Sequence, residues 1–163
     1  MKLIKELTVQ SEIILGVISK SEYLEAYHNN EFNRETTALI AIHNPGVPHH
    51  SKEDIKGICS VHELNFWDIQ EPIGHYSSIS TAQSIYLSEF IVDNINKQFI
   101  VHCDYGHSRS AGVALAIECI YYSNADRYSF FRDNRSHLLK HERYEPNMAV
   151  FDKIIEATLP PVL

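Results

Sequence analysis

The run Val101-His102-Cys103-Asp104-Tyr105-Gly106-His107-Ser108-Arg109-Ser110 constrains this chain more than any other segment. It leaves a short apolar stretch, Phe99 to His102, that reads as a buried strand, and it enters an apolar stretch of helical length, Ala111 to Tyr122. So few residues separate the two that the loop turns tightly at the start of a helix. Unpaired N–H groups and the helix dipole supply positive potential there. Successive amides in such a loop form a nest for an oxyanion, and Arg109, six positions after Cys103, can close the ring with its planar fork. The same groups favour a thiolate, so the local pattern suits a cysteine nucleophile beside a bound phosphate.

The rest of the chain predicts strands alternating with helices. Ile13 to Ile18 reads as an early strand and Ser21 to His28 as a short helix capped by Ser21. Thr37 to Ile42 is an apolar strand run, closed by the Asn44-Pro45-Gly46 turn and a polar loop that carries Pro48, His49 and His50. A further strand covers about 57–61, continues through Leu64 and Phe66 and ends at Trp67-Asp68, before the turn Glu71-Pro72-Ile73-Gly74. Ser80 with Gln83 forms a capping box that opens a helix to about Asn96, with Ala82, Ile85, Tyr86, Phe90 and Val92 or Ile95 available for its buried face. Ser129 to His141 and Asn147 to Thr158 read as two more helices, the last closed by Pro160 and Pro161. This order predicts an α/β fold, a single domain over 1–163 with a mostly parallel central sheet flanked by helices. In such sheets ligands bind beyond the carboxyl ends of strands, where both Cys103 and Asp68 fall.

His102, Cys103, Gly106, Arg109 and Ser110 match the His-Cys-x5-Arg-Ser/Thr signature, and here the chain resembles the cysteine-dependent protein phosphatases, most of all their small dual-specificity branch. A second stretch, Arg143-Tyr144-Glu145-Pro146-Asn147, is similar to the Arg-x-x-Pro-Asn segment that opens that branch's last helix, with Asn147 in a supporting place. The likeness spans roughly 55–159; the first fifty residues carry no recognised motif and serve either substrate recognition or a sheet edge. The resemblance implies a metal-independent hydrolase of phosphorylated proteins that needs no cofactor.

Its chemistry can be laid on individual residues. Cys103 would attack phosphorus in line and form a phosphocysteine. Arg109 would hold two equatorial oxygens, and the loop from Asp104 through Tyr105, Gly106, His107 and Ser108 would supply the amides. Ser110 either hydrogen-bonds the departing sulfur or simply starts the helix, and His102 supports the loop rather than moving protons. The leaving oxygen needs a proton from a separate loop. Asp68 is the candidate acid, 35 residues before Cys103 as in the small branch, with Glu63, Glu71 and Asp54 as competitors. Cys119 reads as helix core, whereas Cys59 is available to resolve an oxidised Cys103, as in some redox-regulated relatives. The family commonly has a small residue where Tyr105 stands, so its phenol would line a pocket mouth; His107, similarly unusual, either strengthens phosphate binding or faces solvent.

Composition narrows the partners. Fourteen Lys and Arg against 21 Asp and Glu leave a net charge of -7, which argues against nucleic acid and anionic membranes, and no apolar run is long enough to span a bilayer. Three cysteines in no framework spacing suggest reduced thiols and a cytoplasmic setting. Ten histidines show no Cys/His ligand spacing, so no metal site is expected. The remaining functional readings are a phosphatase of phosphotyrosine in proteins with phosphoserine and phosphothreonine as further targets, an RNA 5'-phosphatase or other non-protein phosphatase of the same fold, and a phosphoprotein-binding module weak in catalysis.

Overall fold

The structure, a computed structural model, describes residues 8–9 and 15–159. One sheet runs in the order β1 (Thr8–Val9), β2 (Leu15–Ser19), β5 (Gln98–Cys103), β3 (Thr37–His43) and β4 (Ser60–Asn65). The last four are parallel to one another and β1 is antiparallel to β2. Among the described residues five α-helices accompany them: α1 (Lys20–His28), α2 (Thr81–Asp93), α3 (Arg109–Ser123), α4 (Arg127–Arg132) and α5 (Met148–Thr158). None of the described helices is long and apolar enough to cross a membrane. Strand β3 is buried at every position because the sheet is covered on both faces, which is why its sequence is nearly continuous in apolar residues.

The strand period of two divides the core. Leu15, Val17, Ile40, Ile42, Phe99, Val101 and Cys103 face α2, α3 and α5. Ile18, Leu39, Ala41 and Ile100 face the other way, onto Tyr23, Ala26 and Tyr27 of α1. Burying each large side chain stabilises the fold by roughly 1.5–3 kcal/mol before chain entropy is charged against it.

Several boundaries differ from the sequence expectation, each for a local reason. Ser19 rather than Ser21 caps α1: its hydroxyl accepts from Glu22 N, and the Glu22 carboxylate accepts from Ser19 N at 2.9 Å. Residues 13 and 14 of the expected first strand, and Pro160 and Pro161, lie outside the described residues. Strand β4 starts at Ser60, because Gly57 turns at φ +86 and Cys59 donates to Arg34 O before pairing with β3 begins. Helix α2 has its expected capping box, with Ser80 and Gln83 exchanging hydrogen bonds. It buries Ser84, Leu87, Ser88 and Ile91, however, while Ala82, Ile85, Tyr86 and Val92 face solvent. Two serines can be buried because Ser84 Oγ donates to Ser80 O and Ser88 Oγ to Ile85 O, back onto their own helix.

The expected helix from Ser129 to His141 breaks after Arg132. Asn134 takes a left-handed φ of +50, and Glu118 of α3 draws the next residues into a loop. The buried Glu118 carboxylate accepts from Ser136 Oγ and His137 N, both at 2.8 Å, and from Leu138 N. Glu118→Ala would strand these donors, and a loss of roughly 2–4 kcal/mol in urea unfolding is expected. Burial pushes the Glu118 carboxyl up despite the opposing pull of Ser136 and the two amides. The folded state therefore holds a proton that the unfolded chain has released, and this contribution falls as pH rises from 4.5 through the raised value. The deficit of Glu118→Ala should accordingly be larger near pH 4.5 than at neutral pH.

Candidate active site

Strand β5 delivers Cys103 to the carboxyl edge of the sheet between β2 and β3, and α3 starts only at Arg109, so residues 104–108 curl over that edge. Cys103 is 3% exposed. Gly106 N donates to its sulfur at 3.3 Å, and Ser110 Oγ lies 3.2 Å from it. The sulfur is met by one backbone donor and one hydroxyl. The structure thus brings Ser110 to Cys103 as one of the two expected alternatives required.

Gly106 has a strict reason to be glycine. Its φ is +73, and a Cβ there would stand 2.4 Å from Ile18 C and Ser19 N. The loop is pressed against the end of β2, so the otherwise motif-free first fifty residues shape its floor. Gly106→Ala must push the loop outward and separate the amide from the sulfur. With about 1–3 kcal/mol of strain for a non-glycine residue held there, and 1.4 kcal/mol per decade, inorganic phosphate should bind about five- to 100-fold more weakly in a calorimetric titration.

Arg109 is 4% exposed. Its Nη1 donates to Phe66 O at 2.7 Å, and its Nη2 lies 3.6 Å from Asp104 Oδ2. Nε is buried with no hydrogen-bond partner among the described residues. The guanidinium is therefore anchored from the segment that also carries Asp68, with donors left for an anion. The Asp104 side chain faces Arg109 rather than offering a donor, so any contribution of Asp104 to an anion comes from its backbone. Tyr105, 77% exposed, and His107 project into solvent with ring centres 6.4 Å apart.

Asp68 is held at one oxygen. Ser108 Oγ donates to Asp68 Oδ1 at 2.7 Å and Asn147 Nδ2 to the same oxygen at 2.9 Å. The Ser108 hydroxyl is thereby committed to Asp68, which leaves its amide for the phosphate role expected of that residue. Asn147 also caps α5, its Oδ1 accepting from Val150 N. One side chain thus starts a helix with its carbonyl and restrains the carboxylate with its amide. Backbone bonds from Glu145 N to His107 O and from Asn147 N to Ser108 O tie this segment to the loop. Gly112 permits the approach, since a Cβ there would meet Asn147 O at 2.6 Å. Sequence reasoning missed the outer brace, in which Arg143 pairs with Glu22 of α1, and Tyr144 OH donates to Val17 O. The Glu22 carboxyl is raised by burial but lowered further by Arg143 and Ser19, which hold it below its ordinary range.

His102 is fully buried on the α1 face. Its ring stacks on Tyr23 at 5.2 Å, and its Nε2 lies 2.7 Å from His50 Nε2. Burial, helped by His50 and His43, pushes its imidazole well below its ordinary value, which keeps the ring neutral. That fits a supporting place behind the loop. Burial likewise pushes His50 down to about 4. Glu63, an expected competitor for the acid role, is engaged by His43 and His50 on this face. Asp54 is occupied by His28 and Ser51.

The Cys59 redox option is overturned. Ser60 and Phe99 both pair with Ala38, so Cys59 stands level with Gln98, five residues below Cys103 along parallel strands. At about 3.3 Å per residue that is roughly 16 Å, beyond disulfide reach. Cys119 lies in the core, and burial pushes its thiol up to about 12.

No family model matches the chain, and no curated protein does. Solved structures do. Tk-PTP in its active form is 17% identical over 92% of this chain and 97% of its own, with a TM-score of 0.57. Human DUSP28 is 14% identical over 92% and 90%, TM-score 0.56. PTPMT1 in complex with PI(5)P is 14% identical over 92% of each chain, TM-score 0.54. At these identities the likeness establishes the fold: the chain has the fold of the small, dual-specificity-like cysteine phosphatases.

Proposed function

We propose that this chain hydrolyses phosphate monoesters on proteins, phosphotyrosine first and phosphoserine and phosphothreonine in addition, through a phosphocysteine intermediate. The observation that carries the proposal is the buried sulfur of Cys103, backed by the Gly106 amide and the Ser110 hydroxyl within one loop of the buried Arg109 guanidinium. In the first step the Cys103 thiolate attacks phosphorus, the P–O bond to the leaving group breaks, and Asp68 gives that oxygen a proton. Arg109 and the loop amides hold the equatorial oxygens. In the second step water attacks phosphorus, Asp68 takes its proton, and the P–S bond breaks to return a thiolate stabilised by Ser110. Every proton and electron pair in this cycle is accounted for by the chain's own residues. The three free thiols suit a reducing compartment, and we place the protein in the cytoplasm.

A lipid phosphate is the second reading, favoured by the shared fold of PTPMT1, whose structure holds PI(5)P. Against it, the loop carries Asp104, Tyr105 and His107 and no lysine, and the chain's net charge of -7 does not favour attraction to an anionic bilayer. The test is steady-state hydrolysis with EDTA present. Phosphotyrosine, phosphoserine and phosphothreonine peptides would be compared with phosphoinositide vesicles and 5'-phosphorylated RNA. The highest kcat/KM is expected on phosphotyrosine peptide. A higher value on vesicles or RNA would replace the protein substrate, and phosphate binding without turnover of any substrate would identify a binding module.

A further inference from the structure

We propose that His43, His50 and Glu63 form a binding site for a divalent transition-metal ion, zinc first, on the α1 face of the sheet behind the Cys103 loop. Their ligand atoms all lie within 4.8 Å of one another. Four ligands about 2.1 Å from a tetrahedral zinc are about 3.4 Å apart, so only small side-chain shifts separate the cluster from a coordination shell. Two imidazoles and one carboxylate are a set that suits zinc and leaves a fourth position for water.

The surroundings are those of a built site. His43 is the last residue of β3 and is fully buried, and Glu63 projects from the neighbouring β4 beside it. The loop after Asn44 returns to place His50 over both. His43 Nε2 is 2.7 Å from Glu63 Oε2, and His50 N donates to the same oxygen at 2.9 Å. His49 turns away to Asn65, so the two adjacent histidines do diverge, but His50 diverges toward His43. His43 Nε2 thus meets Glu63, and His50 Nε2 lies 2.7 Å from His102 Nε2, so the His50 ring is held between the cluster and the histidine behind the Cys103 loop. His43 Nδ1 is buried and has no hydrogen-bond partner among the described residues. An ion between His43 Nε2, the His50 ring and Glu63 would take the place of the His43–Glu63 hydrogen bond. The ion would pin the loop 44–50 across β3 and β4.

The test is zinc competition against a chromophoric chelator with untagged protein, so its result does not depend on any hydrolytic activity. One equivalent is expected in the wild type and in Cys103→Ser. Glu63→Gln and His50→Ala should each weaken binding by at least about tenfold, with native circular dichroism. Cobalt should give tetrahedral visible bands without thiolate charge transfer. His50 lies in a loop, so His50→Ala carries the test if Glu63→Gln does not fold. Substoichiometric zinc in the wild type would overturn the site. So would binding that survives both substitutions, or binding that disappears with Cys103→Ser and locates the ion at the sulfur.

Discussion

Cys103→Ser is expected to abolish turnover, by on the order of 10⁵-fold or more, while the protein still folds and still binds inorganic phosphate. Serine keeps the size of the side chain and its contacts with Gly106 N and Ser110 Oγ, so the loop has no reason to open. What it lacks is an easily formed anion. A hydroxyl facing the same amide and hydroxyl stays protonated at neutral pH, and an alkoxide would be a far poorer leaving group in the second step. Single-turnover and steady-state rates on an aryl phosphate, with phosphate affinity measured by calorimetry, check the pair of outcomes. Residual turnover within tenfold of wild type would remove Cys103 from the chemistry. Loss of phosphate binding together with turnover would mean that the sulfur holds the loop in shape. Arg109→Lys gives the complementary pattern, since a lysine keeps the charge but cannot hold Phe66 O and present a fork to phosphate together. It should weaken phosphate binding as well as turnover.

The parts of this architecture that were legible in the sequence are those in which local pattern and tertiary demand agree. The run 37–42 is apolar at nearly every position because β3 is covered on both faces, and Ser80 with Gln83 starts α2 by bonds confined to one turn. The loop 103–110 was legible because its chemistry is contiguous. Tertiary override explains the misses. Helix α2 offered a plausible apolar stripe through Ile85 and Tyr86, yet the serine-containing face went inward, and no periodicity of hydrophobicity reports that a hydroxyl can bond back to its own helix. The segment 133–140 reads as helical until Glu118, far away in sequence, claims its amides. His43, His50 and Glu63 share no sequence spacing. They meet because two parallel strands stand side by side and a loop folds back over their ends. The contribution of β2 to the floor of the loop is likewise invisible, since it is made by the backbone of Ile18 and Ser19 against Gly106.

Asp68→Asn should lower kcat by about 10²- to 10⁴-fold on substrates with poor leaving groups, and much less on activated aryl phosphates whose leaving oxygen needs no proton. The geometry specifies which oxygen acts. Ser108 and Asn147 both donate to Oδ1, so Oδ2 is the oxygen left to face a leaving group. This gives Asn147 a positioning role that can be separated from its structural one. Asn147→Ser keeps an oxygen to cap α5 but removes the Nδ2 donor. It should leave the melting temperature nearly unchanged and lower kcat by about tenfold, about the value of one hydrogen bond to a charged group, with the loss concentrated on poor leaving groups as for Asp68→Asn. If Asn147 only caps the helix, Asn147→Ser will show neither the kcat loss nor its leaving-group dependence. If Asp68 is not the acid, Asp68→Asn will be slowed equally on both kinds of substrate or on neither. Because Asn147 Oδ1 and Nδ2 face different partners, the last helix cannot shift without moving the carboxylate, which accounts physically for an Asn following Arg143-Tyr144-Glu145-Pro146 at the start of α5.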